Sequence, residues 1–147
     1  MILSHVLHLL AAMLWIGGMT FAHFALRPAA IATLAPPQRL ALMAAALRHF
    51  FRLVAGAIVV LLATGVHMII AGGGTMAARP GVQIMFGVGL VMMAIFFYIA
   101  HGCHPKLRLH VAAEQWPLAA AQLDRIRVLV LVNLVLGILI VAAIEFL

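Results

Sequence analysis

The chain has 147 residues, of which hydrophobic types make up 67% and charged types only 8%. That balance lies far from the average of soluble domains, so the chain reads as one integral membrane domain over residues 1–147. Its formal charge of +6 does not call for nucleic acid, because the basic residues fall between apolar runs rather than on a soluble surface.

A helix needs ~20 apolar residues to cross a bilayer. Four runs qualify, about Ile2 to Leu26, Leu53 to Ala71, Val82 to Ala100 and Val128 to Phe146. No Lys or Arg precedes the first run and no small-residue cleavage site ends it, so it is expected to stay in the mature protein rather than act as a signal peptide. Arg27, Arg39, Arg48 and Arg52 follow it, Lys106, Arg108, Arg125 and Arg127 lie between the last two runs, and Arg79 alone marks the middle connection. The positive-inside rule then puts both long connections in the cytoplasm and both termini outside. In those connections Pro36-Pro37, the alanine-rich stretch after it and the one after Pro117 favour helix, so each connection is expected to run on into the next span. The fold class is therefore all-α, a polytopic bundle of four transmembrane helices.

Ala44-Ala45-Ala46-Leu47-Arg48 leading to Arg52 resembles Ala119-Ala120-Ala121-Gln122-Leu123 leading to Arg125 and Arg127, with Thr64-Gly65 and Leu136-Gly137 at similar places later. Two tandem hairpins would explain the echo. Alanine-rich interfacial helices that merely share a composition would explain it as well.

Histidine is costly in hydrocarbon unless ligated or paired, which makes each intramembrane histidine a functional candidate. His5 and His23 are eighteen residues apart, five turns and roughly 27 Å along one helix face. His49 and His67 repeat that spacing on the second helix. Because the two helices run antiparallel, His5 and His8 fall near the depth of His67, and His23 near that of His49; His101 joins the inner level. Two imidazoles at one depth on facing helices suit an axially ligated haem b, one at each level, with Gly17, Gly18, Gly56, Gly65, Gly87 and Gly89 making room for the macrocycle. His8 and His67 are the expected ligands of the outer haem and Trp15, two turns after His8, a wall of its pocket. Each of these residues also has a plainer reading as packing, and His104 and His110 are expected to be solvated.

Other features narrow the chemistry. Cys103 is the single cysteine, so no internal disulfide forms, and without a Cys-X-X-Cys-His run any haem would be held by coordination alone. His101-Gly102-Cys103-His104 mixes possible metal ligands within one turn, which rarely completes a site. The nine methionines show no paired ladder along one helix, so most are expected to pack. The only acids are Glu114, Asp124 and Glu145, in connections or at a helix end, which leaves no intramembrane carboxylate for hydrolysis. No P-loop or dinucleotide fingerprint is present.

The run His8-Leu9-Leu10-Ala11-Ala12-Met13-Leu14-Trp15-Ile16-Gly17-Gly18, then Leu26-Arg27-Pro28, and Arg48-His49-Phe50-Phe51-Arg52-Leu53 leading to Thr64-Gly65 resemble the copper-resistance D (CopD) family of bacterial inner-membrane proteins. The resemblance implies a copper-linked or haem-linked role facing the periplasm. The stretch from His8 to Gly18 is also similar to the first helix of HemJ-type protoporphyrinogen oxidases, although that family's Pro-Arg pair after the tryptophan is replaced here by Phe24 and Ala25.

Three expectations follow. The favoured one is a b-type cytochrome with one or two haems, carrying electrons at or across the inner membrane. The second is a copper-handling permease. The third is a haem-dependent oxidoreductase acting on a porphyrin or quinone. Expected partners are the lipid bilayer, a quinone or redox protein, and further copies or subunits of a larger complex.

Overall fold

The computed structural model describes residues 1–146, the side chains of Met76 and Glu145 excepted. Four long helices account for nearly all of it: α1 (Ile2–Thr33), α2 (Pro36–Ala71), α3 (Pro80–Ala112) and α4 (Trp116–Phe146). All four are long and apolar enough to cross a membrane, and no strand occurs among the described residues. The long connections are helical as expected. α2 starts at Pro36 behind an extended Ala35, and α4 starts at Trp116-Pro117; proline suits a first turn because its missing N–H would be unpaired there anyway. α1 and α3 run well past the apolar stretches that announced them.

The turns are short. Gly73 and Gly74 take φ of 64° and 78° between α2 and α3, a conformation open to glycine at little cost. Glu114, with φ 55°, closes the turn between α3 and α4.

Both α1 and α3 widen by one π-helical turn, at Ala22–Leu26 and Ile99–Cys103. Each wide turn precedes a proline by two residues, Pro28 and Pro105. Proline within a helix donates no hydrogen bond, and its ring collides with the carbonyl four residues back. The widened turn absorbs that conflict: the N–H of Arg27 reaches back five residues to the carbonyl of Ala22, and that of His104 to the carbonyl of Ile99. A backbone in hydrocarbon must satisfy its own polar groups, and here the wide turn keeps both long helices continuous.

The two hairpins are versions of one structure. Trp15, Met19 and Ala30 are buried in α1, and Met92, Phe96 and Leu107, each 77 residues later, are buried in α3. In α2, Leu40, Leu47, Phe51 and Val54 are buried, and so are Ala119, Ile126, Val130 and Asn133 in α4, each 79 residues later. The wide turns and the prolines after them repeat at the same 77-residue spacing. Contacts follow suit: α1 packs on α2 and α4, and α3 packs on α4 and α2. The repeat is thus structural, but its register is that of the buried faces and not of the alanine runs. One difference marks the pairing. Asn133, only 2% exposed, replaces the valine found at position 54 and donates from Nδ2 to the carbonyl of Met92 at 3.0 Å, tying α4 to α3.

Two glycines lie at close approaches. A Cβ on Gly18 would strike the Phe50 ring, and one on Gly137 would stand 3.1 Å from Ile16 and 3.3 Å from Met92. Gly17, by contrast, has nothing within 4 Å of such a position. Gly137→Leu is therefore expected to destabilise the bundle by about 1–3 kcal/mol through overpacking, whereas Gly17→Leu shifts stability by under ~0.5 kcal/mol. Unfolding midpoints in detergent check the contrast; equal shifts would deny the close contact.

Candidate functional site: the histidine-capped cavity

Two polar rungs join α1 to α2 at the end that carries the chain termini. The outer rung pairs Ser4 Oγ with His67 Nδ1 at 2.9 Å, and the next pairs His8 Nδ1 with Thr64 Oγ1, also at 2.9 Å. Ser4 and His8 are one turn apart on α1, and Thr64 and His67 three residues apart on α2, so the antiparallel helices bring the members into register. The outer histidines meet the same facing helices that their spacing implied, each bonded to a hydroxyl rather than to one another. His5 is exposed beside them.

The second rung sets the state of His8. The Thr64 hydroxyl donates to the carbonyl of Val60 at 2.6 Å, so its oxygen accepts from His8 and the proton of that imidazole sits on Nδ1. Nε2 then keeps its lone pair, the form in which histidine ligates a metal or accepts a proton. A hydroxyl that fixes a tautomer in this way is a recurring support of metal-binding imidazoles.

His8 borders an apolar, partly open cavity of about 180 Å³ lined by residues of all four helices. The lining obeys the internal repeat: His8, Ala12, Trp15 and Ile16 of α1 face it, as do their counterparts Met85, Gly89, Met92 and Met93 of α3. Leu61 and Leu62 of α2 are matched by Ile140 and Val141 of α4. The cavity lies between the two repeats, and His8 and Met85 occupy corresponding positions across it. Three thioether-bearing side chains thus share its wall with one imidazole. The seven-residue step from Met85 to Met92 was the sequence signal for this grouping, and it is readable only once α3 is known to face α1 across a void. Trp15 borders the cavity and packs edge-on against Phe96 with centroids 6.2 Å apart. Of the six glycines expected to make room, Gly65 and Gly89 border the cavity, while Gly17, Gly56 and Gly87 face open space.

The inner histidines do not converge. His23 lies in the wide turn of α1, edge-on to Phe24, and borders a small cleft with Arg27 and Arg127. His49 is exposed and does not border that cleft. His101 is also exposed, its Nδ1 donating to the carbonyl of Phe97 at 3.2 Å. His104 corrects the expectation of a solvated side chain: it is 5% exposed, and its Nε2 donates to the carbonyl of Ala44 at 2.9 Å. His110, half-buried, donates from Nδ1 to Gln115 Oε1. Among the described residues no group of three or more His, Cys, Asp or Glu side chains comes together as a metal site.

Replacing Thr64 by valine keeps the shape and removes the acceptor. In Thr64→Val the His8 proton is expected to redistribute toward Nε2, read as a change in the side-chain nitrogen shifts of histidine-labelled protein. An unchanged Nδ1–H form would show that Thr64 does not set the tautomer.

The family model described as Copper resistance protein D matches residues 44–147. That segment holds most of α2 and all of α3 and α4, including Arg48-His49-Phe50-Phe51-Arg52-Leu53 and Thr64-Gly65, while the run from His8 to Gly18 precedes it. No curated protein and no solved structure matches the chain. With more than half of its length matched, this multi-pass helical protein belongs to the copper resistance protein D (CopD) family.

Proposed function

We propose that this protein handles copper(I) at the bacterial inner membrane, receiving the ion as cargo in the cavity capped by His8. The observation that carries the reading is the donor set lining one cavity: the His8 imidazole of α1, held through Nδ1, and across from it Met85, Met92 and Met93 of α3. Thioether and imidazole ligands suit a soft monovalent copper ion, and family membership points to the same metal. The arginine distribution supports a topology with both termini, and with them the cavity end, outside the cytoplasm. Copper would therefore be taken from the periplasmic side.

Each residue has a distinct part. His8 offers Nε2, Thr64 holds the ring in the ligating tautomer, and the α3 methionines supply sulfur without charge. The apolar walls keep competing water away from the ion, and Trp15 forms the floor. A bis-imidazole haem would need a second histidine on this cavity, and His67, bonded to Ser4, is not part of its lining. Electron transfer through an inner haem would likewise need His23 and His49 to share a pocket, and His49 lies outside the inner cleft.

The test is metal content and binding of the purified full chain under reducing conditions, with an absorption spectrum taken on the same sample. About one copper(I) per chain is expected. His8→Ala and the double variant Met85→Leu/Met92→Leu should each weaken binding, and Thr64→Val should weaken it by about tenfold or more, the usual cost of a lost supporting bond. Stoichiometric haem without copper, or copper affinity indifferent to all three changes, would overturn the reading. Vesicles containing the protein should accumulate copper(I), and His8→Ala vesicles should lose most of that uptake.

A further inference from the structure

The internal repeat exposes a second site at the arginine-rich end, apart from the copper reading. Where α3 meets α2, the groove is filled by the protein itself: His104 donates to the carbonyl of Ala44, and Phe51 packs edge-on against the imidazole at 5.2 Å. The corresponding groove lies where α1 meets α4. There the counterpart of His104 is Arg27, that of Ala44 is Leu123, and that of Phe51 is the smaller Val130. This groove is open. It forms a cleft of about 30 Å³ whose floor is apolar and whose polar lining is His23, Arg27 and Arg127.

Arg127 is only loosely paired. Its Nε makes no hydrogen bond and has the Asp124 carboxylate at 3.4 Å, with the Arg127 side chain 36% and the Asp124 side chain 65% exposed. A guanidinium is built to bind the paired oxygens of a phosphate. Arg27, in the same cleft, adds a second charge. Both arginines flank the apolar stretches of their helices, Arg27 directly after Leu26 and Arg127 directly before Val128, the depth at which lipid headgroups begin, and the apolar floor beside them suits the carbons that follow a phosphate ester.

We propose that the α1–α4 cleft binds the phosphodiester headgroup of an anionic phospholipid, with Arg127 and Arg27 on the phosphate oxygens and the lipid's first carbons against Leu47, Ile126 and Val130. Basic pockets between membrane helices on the cytoplasmic side are a known means of holding such lipids. One hairpin repeat keeps this groove shut with its own side chains, and the other leaves it to a ligand.

The experiment uses the full chain in a neutral detergent, with native mass spectrometry and thermal unfolding in the presence of phosphatidylglycerol, phosphatidylcholine or inorganic phosphate. Phosphatidylglycerol is expected to stay bound and raise the unfolding midpoint, while phosphatidylcholine does neither. Arg27→Gln and Arg127→Gln should each reduce its retention by about fivefold, the equivalent of roughly 1 kcal/mol per surface cation. Arg127→Lys, which keeps the charge in case the glutamine variant fails to fold, should lose less binding than Arg127→Gln but fall short of the wild type because it lacks the paired donors, and Arg108→Gln, at the same end but outside the cleft, should match the wild type. Equal retention of the two lipids would overturn the proposal, as would equal losses in Arg108→Gln. Displacement of phosphatidylglycerol by millimolar inorganic phosphate would also overturn it, by showing a site for free anion rather than lipid.

Discussion

The bundle turns on a chain of edge-to-face aromatic contacts at its middle. Trp15 of α1 meets Phe96 of α3 at 6.2 Å, Phe96 meets Phe51 of α2 at 5.8 Å, and Phe51 meets His104 at 5.2 Å. In a bilayer, apolar burial gives little drive for helices to associate, and close packing and specific contacts must serve instead. Each such aromatic pair is worth about 0.5–1.5 kcal/mol beyond the area it covers. This chain also partitions the molecule. On one side lies the cavity with His8 and the α3 methionines, and on the other the arginine-lined cleft. Without a rigid crossing point between them, neither space would keep its shape.

The repeat explains why the two ends differ. Both hairpins place buried residues at corresponding positions, so the backbone frame is shared and the chemistry sits in the exceptions. His8 against Met85 puts an imidazole and a thioether across one cavity. Arg27 against His104 leaves one groove open and closes the other. Asn133 against Val54 adds a hydrogen bond between α4 and α3 that the first hairpin lacks at that place. Parallel repeats related by an axis along the membrane normal are a recognised architecture for transporters, with substrate held where the repeats meet. The cavity lies in that location.

Much of this was legible from the residues, and the failures have two causes. Hydropathy located four helices, and the prolines and alanine runs foretold that α2 and α4 would begin in the connections. Helix phase brought His8 and His67 to neighbouring depths on facing helices, because α1 is regular from His8 outward and α2 is unbroken throughout, but not to each other: His8 bonds Thr64 and His67 bonds Ser4. The inner level did not follow. A wide turn inserts one extra residue, which rotates everything beyond it by about 100°. His23 lies within such a turn, so the five-turn spacing from His5 no longer fixes its face. His104 lies just beyond the other, and a side chain whose neighbours are Pro105, Lys106 and Arg108 is turned inward against Ala44. The cavity was hidden for a different reason. Its wall is assembled from α1 and α3, which are not neighbours in sequence, and no periodicity within α3 alone distinguishes methionines facing a void from methionines in a packed core.

Charge gives the copper reading a direction. The cavity lining carries no carboxylate among the described residues, so an ion beside His8 would be held by neutral donors alone, which favour a monovalent ion over a divalent one whose larger desolvation cost such donors would not repay. Beyond the Trp15–Phe96 contact stand Arg27, Arg48, Arg52 and Arg127, a positive end that would oppose any cation. Passage through this arrangement thus faces both a steric and an electrostatic barrier. The wide turns stand on the far side of the aromatic crossing in both α1 and α3, at matching positions, where a change in helix direction would displace the arginine-bearing segments without disturbing the rungs that hold His8. An anionic headgroup seated on Arg27 and Arg127 would lower the positive potential at the same place. Lipid composition and copper movement would then be coupled through one pair of arginines, even though the two proposed sites lie at opposite ends of the bundle.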